Sequence, residues 1–266
     1  MDASPSFFLL FTVCRGNVTI IYMTLQNSCM FSKECVKGRL CNMTNGSNTL
    51  TERLNISPDR HRLIGVVGAG GKTTLIYLLA GELTKKGYRV AITTTTHMQA
   101  EGRAGFVPVG ISCEEGKIKG ISAEFPETLL ENHDVVLVEA DGSRCLPLKV
   151  PAEHEPVLPK GADLIIGVAG ASAVGKTFEN ACHRYERVCR EFLCDPDEVI
   201  RPHHIVRILT SQTGQKKGVS CEYRYIINQI DVLSKKDREE MKKEMLQCSD
   251  CGCMISLKNM EEDGKC

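Results

Sequence analysis

Gly68-Ala69-Gly70-Gly71-Lys72-Thr73-Thr74 brings three glycines, a lysine and two hydroxyls together in one short run. The glycines let the backbone turn tightly and aim successive N–H groups inward, and a helix starting here adds the positive end of its dipole. Lys72 supplies a point charge for outer phosphates, and the Thr73 hydroxyl is a ligand for Mg²⁺. The chemistry is capture of a nucleoside triphosphate by Gly68, Ala69, Gly70, Gly71, Lys72, Thr73 and Thr74, with Lys72 also stabilising charge during catalysis.

The spelling is the short Gly-x-x-Gly-Lys-Thr form, because Val66 stands where the longer G-x-x-x-x-G-K-[ST] pattern has its first glycine. The longer pattern occurs instead at Gly170–Thr177. Its downstream segment, Phe178-Glu-Asn-Ala-Cys-His-Arg, lacks the apolar helix that a central phosphate loop feeds, so the first loop is preferred.

A nucleotide enzyme needs acids near that loop. Val135-Val-Leu-Val-Glu139-Ala-Asp141 is an apolar strand ending in two carboxylates. Asp141 is expected near Mg²⁺ together with Thr73, and Glu139 is expected to orient water. Four threonines, Thr93–Thr96, and His97 close another strand, and strand carboxyl ends line the ligand crevice of open α/β sheets. His97 is therefore a further catalytic candidate facing the γ-phosphate, although β-branched threonines also suit any strand. Arg144, Lys149, His154 and Glu155 sit among Pro147, Pro151, Pro156 and Pro159, either as a loop that senses the γ-phosphate or as solvated surface. Asn228-Gln229-Ile230-Asp231 is similar to the N-K-x-D guanine signature, with Gln for Lys. Asn228 and Asp231 thus favour GTP slightly over ATP. Cys248, Cys251 and Cys253 have metal-like spacing but no second pair, and are expected to form a thiol-rich tail.

These residues need a sheet to hold them. Leu63–Val67, Arg89–Thr93, Val135–Val138, Leu164–Val168 and Tyr223–Ile227 are strand-like. Thr73–Lys85, Pro202–Leu209 and Asp237–Leu246 are helix-like, and Gly102–Phe125 is expected to hold a hairpin near Glu115-Gly116. Alternation of this kind predicts an α/β fold, a three-layer sandwich with a mostly parallel sheet, as in P-loop NTPases. The expected domains are a poorly ordered extension over 1–42, a nucleotide-binding domain over 43–247 and a Cys-rich tail over 248–266. Met43 is a candidate natural start for synthesis.

Lys plus Arg equal Asp plus Glu at 33 each, so no net field draws the chain to nucleic acid or anionic membrane. The longest apolar runs, Phe7–Val13 and Val18–Met23, are too short to span a bilayer. Fourteen unevenly spaced cysteines and a nucleotide loop together point to reduced thiols and a cytoplasmic location.

Five motifs in order, GAGGKTT, TTTTHM, VEADGSR-LPLK-P-EHEPV, the GK-HR segment at 175–184 and NQID, resemble the YqeC family. The resemblance runs over about residues 60–233; the first 42 residues and the Cys-rich tail depart from it. It implies an accessory protein in the maturation of selenium-dependent molybdenum hydroxylases, with such a hydroxylase or its cofactor-maturation proteins as partners. The leading expectation is a Mg²⁺-dependent NTPase. The short loop, similar to that of Mur-type ligases, leaves open a ligase or transferase that activates a small acid. A nucleotide-gated scaffold that delivers cofactor with little turnover is a further reading.

Overall fold

The computed structural model describes residues 8–14, 17–23, 49–113 and 116–263. The chain divides into two units, Met1–Val36 and Lys37–Cys266. In the first, β1 (Phe8–Cys14) and β2 (Asn17–Met23) form an antiparallel hairpin. The rest of the expected extension over 1–42 lies outside the described residues.

The second unit opens with α1 (Leu50–Arg53), whose first backbone N–H groups donate to Glu82. Its main sheet comprises β3 (Leu63–Gly68), β4 (Val90–Thr94), β8 (Val135–Glu139), β10 (Leu164–Gly170), β12 (Glu222–Asn228) and β13 (Cys251–Met254). The strand order is β13-β12-β10-β3-β8-β4, and every pairing is parallel. β3, β8 and β10 are buried at every residue, as strands covered on both faces must be. Ile64 and Val66 pack with Leu75, Ile76, Leu79 and Leu83 of α2 (Lys72–Lys85), whereas Val67 points to the opposite core. That second core collects α4 (Phe178–Ala181), α5 (Tyr185–Phe192), α6 (Pro202–Thr210) and α7 (Lys235–Leu246). The result is three layers, helix on sheet on helix.

Smaller pieces hang from this frame. β5 (His97–Gln99), β6 (Ile111–Cys113) and β7 (Lys117–Lys119) make an antiparallel satellite sheet; β6 and β7 pair on either side of the hairpin expected around Glu115-Gly116, and residues 114–115 lie outside the described residues. β9 (Leu148–Lys149) pairs with β11 (Cys182–His183), and α3 (Phe125–Thr128) precedes β8.

The C-terminus differs from expectation. In place of a separate tail from residue 248, β13 adds to the sheet edge beside β12 and α8 (Leu257–Asp263) follows it. Cys-Gly-Cys-Met has no β-branched residue to mark a strand, so periodicity does not reveal it. The ladder does, and its Gly252 is required there: a Cβ would lie 2.2 Å from the Tyr225 ring. No helix among the described residues is long and apolar enough to cross a membrane.

Candidate functional site

The glycine run forms the turn between β3 and α2. Gly68 has φ +104°, and a Cβ there would stand 2.2 Å from the Val168 carbonyl oxygen, so the loop can lie against β10 only with glycine at this position. Gly71 begins α2 without a side-chain cap, and the first turn carries no acid. The first helical bond is Leu75 N–H to Gly71 O. Among the described residues no acceptor meets the N–H groups of Lys72, Thr73 and Thr74. These are the orphan donors of a helix start, and they carry its partial positive charge.

Lys72 is nearly buried at 4% exposure. Its Nζ donates to Gly68 O at 2.7 Å and to Ser143 Oγ at 3.3 Å, and stands 3.3 Å from Asp141 Oδ1. The two acids at the end of β8 have different partners. Thr73 Oγ1 donates to Glu139 Oε2 at 2.8 Å. Burial pushes the Glu139 carboxyl above its ordinary range, against the opposing pull of Lys72 and of the Thr73 hydroxyl. Asp141 is completely buried and accepts the Gly68 N–H on both oxygens at 3.0 Å. Its Oδ2 also faces Lys149 Nζ at 3.0 Å. Thr73 was expected to share Mg²⁺ with Asp141; the structure instead sets its hydroxyl against Glu139 and surrounds Asp141 with cations and an N–H donor.

From Asp141 a chain of alternating charges runs onward. Lys149, wholly buried, donates to Gly142 O at 2.6 Å and to Glu155 Oε2 at 2.9 Å. Arg184 grips Glu155 with two bonds of 2.6 and 3.0 Å. Burial would raise the Glu155 carboxyl, but the bonds from Arg184 and Lys149 outweigh it and bring it down to about 2. Lys217 Nζ ties the same loop by donating to the carbonyls of Ala152, Glu153 and Glu155. The core of the proline-punctuated segment is therefore fastened inside the protein, while Arg144 and His154 stay exposed. Sequence reasoning missed Arg184 as a site residue; its only signal was its place in the GK-HR motif.

The threonines act as fasteners. Thr93 donates to Val109 O, Thr94 to Glu139 O and Thr95 to Val157 O. His97 stands exposed on β5 opposite Lys119, with no hydrogen bond or ion pair to the loop among the described residues. Asn228 does reach the loop: its Nδ2 donates to Gly70 O at 2.7 Å, and its Oδ1 accepts the Leu257 N–H at 2.9 Å. Gln229 accepts from Ser172 Oγ at 2.6 Å, and Asp231 lies exposed in the turn Ile230–Val232. The rival motif ends differently. Lys176 is exposed, and the helix that directly follows Thr177, α4, has four residues and ends at Ala181.

The YqeC protein family model matches residues 64–186, which include the loop, both acids and Arg184. The protein YqeC of Escherichia coli (strain K12), itself uncharacterised, is 33% identical over 197 residues, covering 64% of this chain and 77% of that protein. The chain belongs to the YqeC family. Two solved structures are similar to this YqeC-family chain at low identity. The hydrogenase maturation factor HypB from Archaeoglobus fulgidus is 14% identical with TM-score 0.37, over 77% of this chain and 86% of that one. FlhF complexed with GMPPNP and Mg²⁺ is 16% identical with TM-score 0.40, over 77% of each chain. Likeness at this level decides neither ligand nor reaction for a YqeC-family member.

Proposed function

We propose that this chain binds a nucleoside triphosphate with Mg²⁺ at Gly68–Thr74 and hydrolyses it. The observation that carries the reading is the start of α2, where uncapped N–H groups, buried Lys72 and the Thr73 hydroxyl converge beside Glu139. The donor set fits the group. Orphan N–H donors and an ammonium suit phosphate oxygens, and a hydroxyl 2.8 Å from a carboxylate offers the hard oxygens that Mg²⁺ prefers. Thr73 and Glu139 are assigned to the metal in place of the Thr73–Asp141 pair. Bound there, Mg²⁺ supplies positive charge against the charge developing on the phosphoryl oxygens.

The protein's own groups do the rest. Lys72 offers its ammonium to the outer phosphates while Asp141 holds it against the loop. Asp141 also fixes the loop itself through the Gly68 N–H, so it acts as counter-ion and positioning residue. A carboxyl already raised by burial gains from a divalent cation, which favours its ionised form.

We further propose that this activity serves the maturation of selenium-dependent molybdenum hydroxylases, with a hydroxylase or a cofactor-maturation protein as partner, a reading that rests on the resemblance of the five motifs. The test of the core reading is titration of fluorescent ATP and GTP analogues with and without Mg²⁺, alongside phosphate release. Wild type should bind, Lys72→Ala should lose about tenfold or more, and Glu139→Gln should lose the Mg²⁺ dependence. Wild-type protein that binds neither nucleotide in Mg²⁺ overturns the proposal. For the pathway, a tagged molybdenum hydroxylase should retain the protein in a nucleotide-dependent way; retention indifferent to nucleotide and to Lys72→Ala counts against it.

A further inference from the structure

A cavity of about 350 Å³ opens beside Asp231, lined by Ile230, Asp231, Met254, Ser256, Asn259 and Met260, with Arg53 and Arg238 at its sides. That volume is at the small end of the range for ligand sites, which suits a single aromatic ring system. We propose that this cavity holds the base of the bound nucleotide and selects guanine, so that β13 and the start of α8 complete the site. The proposal rests on the reading of Gly68–Thr74 as a triphosphate loop.

Position is the first argument. Asn228 donates to Gly70 O in the phosphate loop and accepts the Leu257 N–H at the start of α8. One side chain thus ties the loop to the start of α8, beside the lining residues Met254–Met260, and Ile230 and Asp231 follow Asn228 two and three residues along the chain. The cavity lies just past the carboxyl ends of the adjacent parallel strands β12 and β13, where open α/β sheets bind ligands. Gln229, at φ +63°, turns the chain there and sends its side chain to Ser172, which leaves Asp231 to face the opening.

Chemistry is the second argument. Met254, Met260 and Ile230 give apolar surface for a ring, and methionine adapts to flat aromatic faces. Asp231 is exposed and lines the opening, where its carboxylate offers two acceptor oxygens. Guanine presents two parallel donors, N1–H and the 2-amino group, to such a carboxylate. Adenine presents an acceptor at N1 and no amino group at C2, so the same carboxylate repels it. On the other edge of guanine, O6 and N7 accept, and arginine is the side chain that matches that pair. The Nε atoms of Arg53 and Arg238 are buried without an acceptor, and Arg238 reaches the Asp231 carbonyl at 3.2 Å. Both arginines line the cavity, and the Ser256 hydroxyl at its wall is likewise buried without a partner.

The donor–acceptor logic gives a test that a structural role for Asp231 cannot mimic. Asp231→Asn replaces one acceptor oxygen with a donor and so matches xanthine, which carries oxygen where guanine carries its 2-amino group. Competition binding with GTP, ATP and XTP in Mg²⁺ should show wild type preferring GTP by about tenfold or more. Asp231→Asn should reverse the GTP-to-XTP preference by a similar factor. Ser256→Phe, which fills the cavity, should lower GTP affinity and bring GTP and ATP to near equality. Wild type binding ATP and GTP alike, or an Asp231→Asn variant with an unchanged GTP-to-XTP ratio, overturns the base pocket while the triphosphate loop stands. Failure of wild type to bind any nucleotide overturns both.

Discussion

Lys149→Met is the sharpest probe of how the site is held together. Lys149 is completely buried, and its Nζ sits 3.0 Å from Asp141 and 2.9 Å from Glu155 while donating to Gly142 O at 2.6 Å. Methionine has similar length but removes the charge and all three contacts. Deleting one partner of a buried ion pair costs about 3–5 kcal/mol, because the remaining charge is left uncompensated. Here each acid keeps a second cation, Lys72 at 3.3 Å for Asp141 and Arg184 at 2.6 Å for Glu155, which moves the expected cost toward the lower end. The expectation is therefore about 3 kcal/mol, or a melting temperature lower by about 6–12 °C for a domain of this size. Urea unfolding of wild type, Lys149→Met, Glu155→Gln and the double variant measures it directly. The two changes should couple by about 1–3 kcal/mol, because the second removes a charge that the first stranded. A Lys149→Met cost below about 1 kcal/mol, or additivity within about 0.5 kcal/mol, would falsify the idea that these charges form one connected chain.

Three more outcomes are expected from the same geometry. His61 is 2% exposed, its Nδ1 accepts the Ser57 N–H and its Nε2 faces Glu222, while burial first and Arg224 second lower its proton affinity. His183 and His204 are lowered too, chiefly by burial. Because these folded-state values lie below the ordinary 6.5, stability is full above that pH and falls as pH drops through the window beneath it. Melting curves from pH 8 to 5 should show this, and His61→Gln should flatten the slope by up to about 1.4 kcal/mol per pH unit; an unchanged slope contradicts it. Asn228→Ala leaves Gly70 O and the Leu257 N–H without their partner, at an expected cost of about 2–4 kcal/mol in urea unfolding; a change below about 0.5 kcal/mol would mean that the clasp does not hold. Gly252→Ala forces a Cβ to within 2.2 Å of the buried Tyr225 ring and should cost about 1–3 kcal/mol, whereas a tail detached from the sheet would tolerate it.

Much of this protein is legible in its sequence because the signals are local. The glycines, Lys72 and Thr73 must be consecutive to make a loop that ends on a helix start, so the loop is spelled out in seven residues. Continuous apolar runs such as Val135–Val138 and Leu164–Val168 announce strands buried on both faces, and alternation with helices makes the sheet parallel. β13 escaped because strand character there depends on a neighbour, Tyr225, that fits only against glycine.

The sequence could not decide which groups meet across long separations. Asp141 and Gly68 are 73 residues apart, and Glu139 and Thr73 are 66 apart. Both acids stand at the end of one strand, so spacing treats them as near equivalents. The chain leaves β8 after Glu139, and that departure turns Asp141 beneath the loop, between Lys72 and Lys149, while Glu139 stays level with Thr73. Residue types and short spacings thus determined that a glycine-rich turn runs into a helix start at Gly68–Thr74. Only the packing of distant strands decided which carboxylate faces the hydroxyl and which one holds the loop, because Coulomb energy and hydrogen bonding depend on distance in space and not along the chain.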